Sequence, residues 1–180
     1  MNVISIDPGI ACTGLFTVID DQRRSRSIST DGLDGDERLV GLWAQLNLVL
    51  ADCGRFDIAF IEDYLYHSPG SLSARKSAEA GGVIRLALAQ MKIPLVAVPI
   101  QTWKALTIGD LKKRTKAEQR AYQRAVEQMY GVTIEGPDAA DAFLIYAAAR
   151  LIYTRRMKRT ATMLRLYEEI AAVVQKKGEP

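Results

Sequence analysis

Apolar and polar positions run together, alternate and then recur at helical spacing, in an order that sketches a sheet with helices laid on it. Val3-Ile4-Ser5-Ile6 ends on Asp7, Pro8-Gly9 breaks the run, and Thr13-Gly14-Leu15-Phe16-Thr17-Val18-Ile19 follows closely. Two extended runs around a Pro-Gly break predict a hairpin with a carboxylate held where its first strand ends. Arg24 to Thr30 alternates Arg and Ser around Ile28 and predicts an edge strand with its charges in water. Asp31 to Asp36 reads as a loop. From Glu37 to Ala51, Leu39, Leu42, Trp43, Leu46, Val49 and Leu50 fall at helical spacing, predicting one broad core-facing stripe with Trp43 as a core anchor. Gly54 stops that helix.

Phe56 to Asp63 is a short, nearly continuous apolar run, the mark of a strand buried on both faces in a parallel pairing, and it too ends on acid. A helix is expected from Ser73 to Met91, with Ala80-Gly81-Gly82 allowing close backbone approach. Ile93 to Pro99 predicts another buried strand. Between Gln101 and Arg124 lie Lys104, Lys112, Lys113, Arg114, Lys116, Arg120 and Arg124 against only Asp110 and Glu118, and a helix over Lys116–Tyr130 carries part of this cluster. Gly136-Pro137 opens a helix reaching Tyr153, proline being well placed in a first turn. The tail is basic at Arg155, Arg156, Lys158 and Arg159, then amphipathic through Leu164, Leu166, Tyr167, Ile170 and Val174. A hairpin followed by right-handed crossovers makes an α/β fold, a mixed sheet covered by helices, with Asp7 and Glu62 at the same edge.

Composition narrows this picture without changing it. At 180 residues, 48% apolar and 25% charged, the chain is expected to be one domain with a real core. A net charge of +3 permits nucleic-acid binding without arguing for it. Two cysteines, Cys12 and Cys53, and one histidine, His67, exclude a Cys/His zinc centre. A reduced cytosolic setting fits, one Cys12–Cys53 bridge being the alternative. The first strand starts at residue 2, leaving no stretch for a signal peptide, and no apolar run approaches the roughly 20 residues of a membrane span.

The acids carry the chemistry. Asp138 and Asp141 are three apart, on one side of a helix near its first turn. Favourable interaction with the helix N-terminus accounts for Asp138. It accounts less well for Asp141, which precedes Ala142-Phe143-Leu144-Ile145 and should lie near the buried face, where an uncompensated carboxylate is costly. Several carboxylates meeting without His or Cys point to Mg²⁺, with Mn²⁺ as a substitute. Two such ions make a phosphodiester-cleaving site.

Ile4-Ser5-Ile6-Asp7-Pro8-Gly9 with Thr13-Gly14, then Phe60-Ile61-Glu62, then Asp138-Ala139-Ala140-Asp141-Ala142 resemble, in this order, the RuvC Holliday-junction resolvases of the RNase H-like superfamily. Ser73 to Gly82, and Gln101-Thr102-Trp103-Lys104 with Gly109, match the family in position. The resemblance implies an RNase H-like mixed five-stranded sheet flanked by helices over residues 1–153. The stretch 154–180 would be a basic amphipathic C-terminal helix of the same domain. It further implies a homodimeric endonuclease that cuts four-way DNA junctions by paired nicks, using two Mg²⁺ ions per site. Asp7, Glu62, Asp138 and Asp141 would be the catalytic, metal-binding acids. Lys104 and Lys116 match basic positions that approach the DNA backbone, and Lys112, Lys113 and Arg114 extend that track. Tyr64 and Tyr66 either stack on unpaired bases or anchor their loop. Asp63, one residue beyond Glu62, should point to the opposite side. Such an enzyme would work in the cytoplasm, by the nucleoid or in a virus's host. The alternatives are a fork- or flap-cutting nuclease of the same fold, an actin-like ATP-binding phosphotransferase sharing the first loop, and a catalytically inactive DNA-binding module.

Overall fold

Neighbouring extended runs pair first. In the computed structural model, which describes residues 1–63, 72–107, 116–154 and 160–178, β1 (Val3–Asp7), β2 (Cys12–Ile19) and β3 (Gln22–Ser29) form an antiparallel meander. After α1 (Gly35–Asp52), β4 (Ile58–Asp63) returns parallel to β1. After α2 (Leu72–Gln90), β5 (Leu95–Pro99) lies parallel to β4. The sheet order is β3-β2-β1-β4-β5, so the fold is a mixed five-stranded sheet of the RNase H-like kind. The remaining helices are α3 (Ile100–Thr107), α4 (Lys116–Tyr130), α5 (Pro137–Thr154) and α6 (Ala161–Gly178).

The period-two alternation of strands divides the core in two. Ile4, Ile6, Leu15, Ala59 and Ile61 face α1 and α2. Val3, Phe16, Ile58, Phe60, Val96 and Val98 face α3, α4, α5 and α6. Helix α5 is buried along most of its length, from Ala139 to Ile152. It crosses the sheet over β1 and β2, and Leu166 and Ile170 of α6 pack into the same cluster.

Two expectations need correction. Trp43 is not a core anchor: it is 41% exposed, while Leu42, Leu46, Val49 and Leu50 form the buried stripe of α1. The stripe is narrower than the spacing suggested, and Trp43 sits on its shoulder. The strand Leu95–Pro99, expected to be buried, is so at Val96, Val98 and Pro99 but half-buried at Leu95 and Ala97, because among the described residues it is the sheet edge beside β4. Cys12 and Cys53 are both free, so the alternative bridge is absent.

Candidate active site

Strand parity brings the first two acids together. Asp7 shares its side of β1 with Val3, and Glu62 shares its side of β4 with Ile58 and Phe60, so both face the α5 layer. Ile6 is the register partner of Ile61, so Asp7 and Glu62 end adjacent parallel strands at one level. Asp63 has the parity of Ala59 and Ile61 and belongs to the α1/α2 side, as expected.

The start of α5 is pinned over these strand ends by its surroundings. Gly14 pairs with Asp7 across the hairpin, and a Cβ on Gly14 would overlap the carbonyl of Asp138 and lie 2.7 Å from the nitrogen of Ala139. Only glycine lets the helix backbone settle so low. Ser27 Oγ donates to the carbonyl of Glu135 at 3.0 Å, and Ser25 Oγ accepts from the Glu135 amide at 2.7 Å. Gly136, at φ +87°, then turns the chain, and Pro137 starts the helix. The preceding loop is tied to α4, because Glu127 Oε1 accepts from Ile134 N at 2.9 Å and Gln123 Nε2 donates to the Ile134 carbonyl at 2.7 Å. Asp138 is thereby set half-buried beside Asp7's strand, and Asp141, one turn on, is 5% exposed.

Two aromatic donors reach into the same place. The indole Nε1 of Trp103, wholly buried on α3, donates to Glu62 Oε2 at 3.0 Å. The hydroxyl of Tyr122 on α4 donates to Asp141 Oδ1. Burial, then the charge of Asp141 and its hydrogen bond, then the charges of Asp7 and Glu62, push the Tyr122 phenol far above its ordinary range. The phenol therefore lies in the field of carboxylates from β1, β4 and α5. On the other flank the Cys12 thiol is pushed up to about 12 by burial and by its hydrogen bond to Asp138, so it stays protonated at neutral pH.

The donor set fits a divalent cation. All four side chains offer hard carboxylate oxygens, the ligands Mg²⁺ and Mn²⁺ prefer, and the negative field that Asp7, Glu62 and Asp141 impose at Tyr122 is what such an ion would offset. Among the described residues no three Asp, Glu, His or Cys side chains already close around one point at ligand distance. The acids form a shared field, not a preformed cage.

Of the basic track, Lys104 lies on α3 with Nζ 5.2 Å from the centre of the Trp103 ring, and Lys116 opens α4. Tyr64, Tyr66, His67, Lys112, Lys113 and Arg114, together with the run Arg155–Arg159, lie outside the described residues. Sequence reasoning missed the parts played by Trp103 and Tyr122. The sole available hint was the Gln101-Thr102-Trp103-Lys104 motif; Tyr122 had none, because its place in α4 gains meaning only through the docking of α5.

No protein-family model matches the chain. Among curated proteins, the crossover junction endodeoxyribonuclease RuvC of Gloeobacter violaceus is 31% identical over 155 residues, which are 81% of this chain and 85% of that protein. The protein of the same name from Synechococcus sp. strain CC9605 is 29% identical over 163 residues, 84% of this chain and 99% of that one. Among solved structures, Thermus thermophilus RuvC in complex with a Holliday junction substrate superposes with a TM-score of 0.65 at 22% identity, covering 87% of this chain and 96% of that one. A second structure of Thermus thermophilus RuvC gives 0.62 at 24% identity.

Proposed function

The chain belongs to the RuvC family of crossover junction endodeoxyribonucleases, and from that premise we propose how its own residues cut. Asp7, Glu62, Asp138 and Asp141 would hold two Mg²⁺ ions at the strand ends, where a phosphodiester near the branch point of four-way DNA would be hydrolysed. The observation that carries this reading is geometric: Asp7 and Glu62 stand at one level of adjacent parallel strands, and the first turn of α5, which bears Asp138 and Asp141, is seated on Gly14 opposite Asp7. The family is divalent-metal dependent in general; the identity of the ion and the count of two belong to the proposal. When bound, the ions supply Lewis-acid stabilisation of the phosphate and a lowered pKa for the attacking water.

The protein's share of the work is placement and charge. Asp7 holds the centre between Glu62 on the neighbouring strand and Asp141 on the helix above, with Asp138 at the open flank. Water oxygen bonds to phosphorus, giving up a proton to solvent, in line with the breaking P–O3′ bond; the departing 3′ oxygen takes up a proton from solvent, leaving a 5′-phosphate and a 3′-hydroxyl. A site this acidic repels DNA unless cations hold the neighbouring phosphates. Lys104, on the helix whose Trp103 reaches Glu62, would take that task, and Lys112, Lys113, Arg114 and Lys116 follow it along the chain. Tyr64 and Tyr66, directly after β4, would stack on bases opened at the branch point.

Paired nicks need two such sites facing one junction, which a dimer supplies. The outer faces of α1 and α2 suit a second copy. Val40 (64% exposed), Trp43 (41%) and Leu48 (65%) of α1 stand on the same layer as Leu86 (54%) of α2, beside Gly82, whose Cα has open space around it.

Purified protein is tested on a four-way junction, a flap and a plain duplex, with Mg²⁺ and with EDTA. Junction cutting that EDTA abolishes is expected; cutting of the flap with an intact junction would replace the resolvase reading by a flap nuclease. Asp7→Asn should bind the junction and fail to nick it, and nicking at the parental rate would refute the site assignment.

A further inference from the structure

Two of the proposed metal-holding carboxylates are each gripped by a neutral donor from a helix outside the acidic motifs. Trp103 is wholly buried and Tyr122 is 4% exposed, so neither ring is free to swing. Trp103 Nε1 takes Glu62 Oε2, and Tyr122 Oη takes Asp141 Oδ1. Each helix grips a carboxylate of a different element, α3 that of β4 and α4 that of α5. The choice of donor is chemically specific. A lysine or arginine in either place would neutralise the carboxylate and compete with a cation for it. An indole N–H or a phenol O–H fixes one oxygen and leaves the full negative charge in place. Trp103 is itself tied down, because Thr107 Oγ1 donates to its carbonyl at 2.6 Å one turn later. Tyr122 stands in the stretch of α4 that Gln123 and Glu127 stitch to the loop before α5, so the grip on Asp141 and the seating of α5 share one support.

We propose that Trp103 and Tyr122 are positioning residues that preset Glu62 and Asp141 for cation capture, holding one oxygen of each so that the carboxylates are aimed before the ion arrives. The inference rests on the reading of Glu62 and Asp141 as metal ligands. Partners of this outer kind typically set metal affinity by about 10- to 100-fold. They act with no charge of their own, so their loss should show in cation binding and turnover, not in the grip on DNA.

Mn²⁺ binding to the DNA-free protein, followed by the electron paramagnetic resonance signal of free Mn²⁺, tests this. Trp103→Phe and Tyr122→Phe each remove a donor and keep a ring, so Lys104 retains an aromatic face beneath it. Each variant should bind Mn²⁺ about 10- to 100-fold more weakly than the parent, and junction nicking should lose kcat with KM for the junction unchanged. Thermal unfolding in EDTA shows whether each variant folds. Tyr122→Phe deletes a single oxygen and carries the test should Trp103→Phe fail to fold. Parental Mn²⁺ affinity and kcat in a folded variant overturn the positioning role and leave the metal site standing. A parent that binds no Mn²⁺ overturns the metal site, and the positioning role falls with it.

Discussion

Gly14 carries more of the site than its lack of a side chain suggests. It faces Asp7 across the hairpin and lies directly under the first turn of α5, where any Cβ would overlap Asp138. Gly14→Ala should therefore raise α5 off the sheet and part Asp138 and Asp141 from Asp7. Overpacking of this kind costs about 1–3 kcal/mol. The expected result is a lower urea midpoint together with loss of junction nicking, and nicking at the parental rate in a destabilised variant would show that the helix tolerates the displacement. The glycine was visible in the sequence as part of Thr13-Gly14, but its reason was not, because the atom it makes room for lies more than a hundred residues away. The two tryptophans teach the same lesson from opposite sides. Trp43, at good helical spacing, looked like core and is exposed; Trp103, inside a short motif, is wholly buried on a carboxylate. Spacing assigns a residue to a stripe and does not fix the stripe's width, and a hydrogen bond between distant segments leaves no periodic trace.

Helices with strong apolar periods or clear start signals were legible to within a few residues: α4 was expected over Lys116–Tyr130 and observed there, and Pro137 opened α5 as the first-turn rule requires. The eight-residue α3 was not expected, since it starts immediately after β5 and is too short for a period to declare itself. Its C-terminal end is fastened to that of α4 by Tyr130, whose hydroxyl donates to the carbonyl of Thr107 at 3.1 Å. Burial holds this phenol above its ordinary value. A group whose folded pKa is raised contributes stability that is fully present below its unfolded value, about 10 for tyrosine, and is lost as pH rises through the folded value. The urea midpoint should thus fall above about pH 10, and fall less steeply in Tyr130→Phe. The difference between the two proteins isolates Tyr130 from the buried Tyr122. Identical slopes would mean that the α3–α4 fastening does not depend on the protonated phenol.

Three layers divide the labour of the molecule. The sheet and α5 carry the four acids, α3 and α4 supply donors to two of them, and the layer of α1 and α2 turns an apolar surface outward. That surface was not foreseen, because the exposed residues of α1 share the helical spacing of the buried ones. Leu86→Glu places a charge on the outward surface at a residue already 54% exposed, so the chain should still fold. Sedimentation should then report a monomer, and junctions should receive single nicks at uncoupled times instead of paired ones. A variant that stays dimeric would move the contact between copies elsewhere. Among the described residues no helix is long and apolar enough to cross a membrane, so the outward apolar surface is not part of a helical span.

The seating of α5 on Gly14 and on the serines of β3 also has a consequence in time. The hairpin with Asp7 is synthesised before the helix with Asp138 and Asp141, with β3, α1, β4, α2, β5, α3 and α4 made between them. Until that helix follows, the strand ends carry Asp7 and Glu62 without the two acids of α5. On the proposed assignment of the four acids, a chain cut between β5 and α5 would keep Asp7 and Glu62 and lack Asp138 and Asp141, so it should not nick DNA.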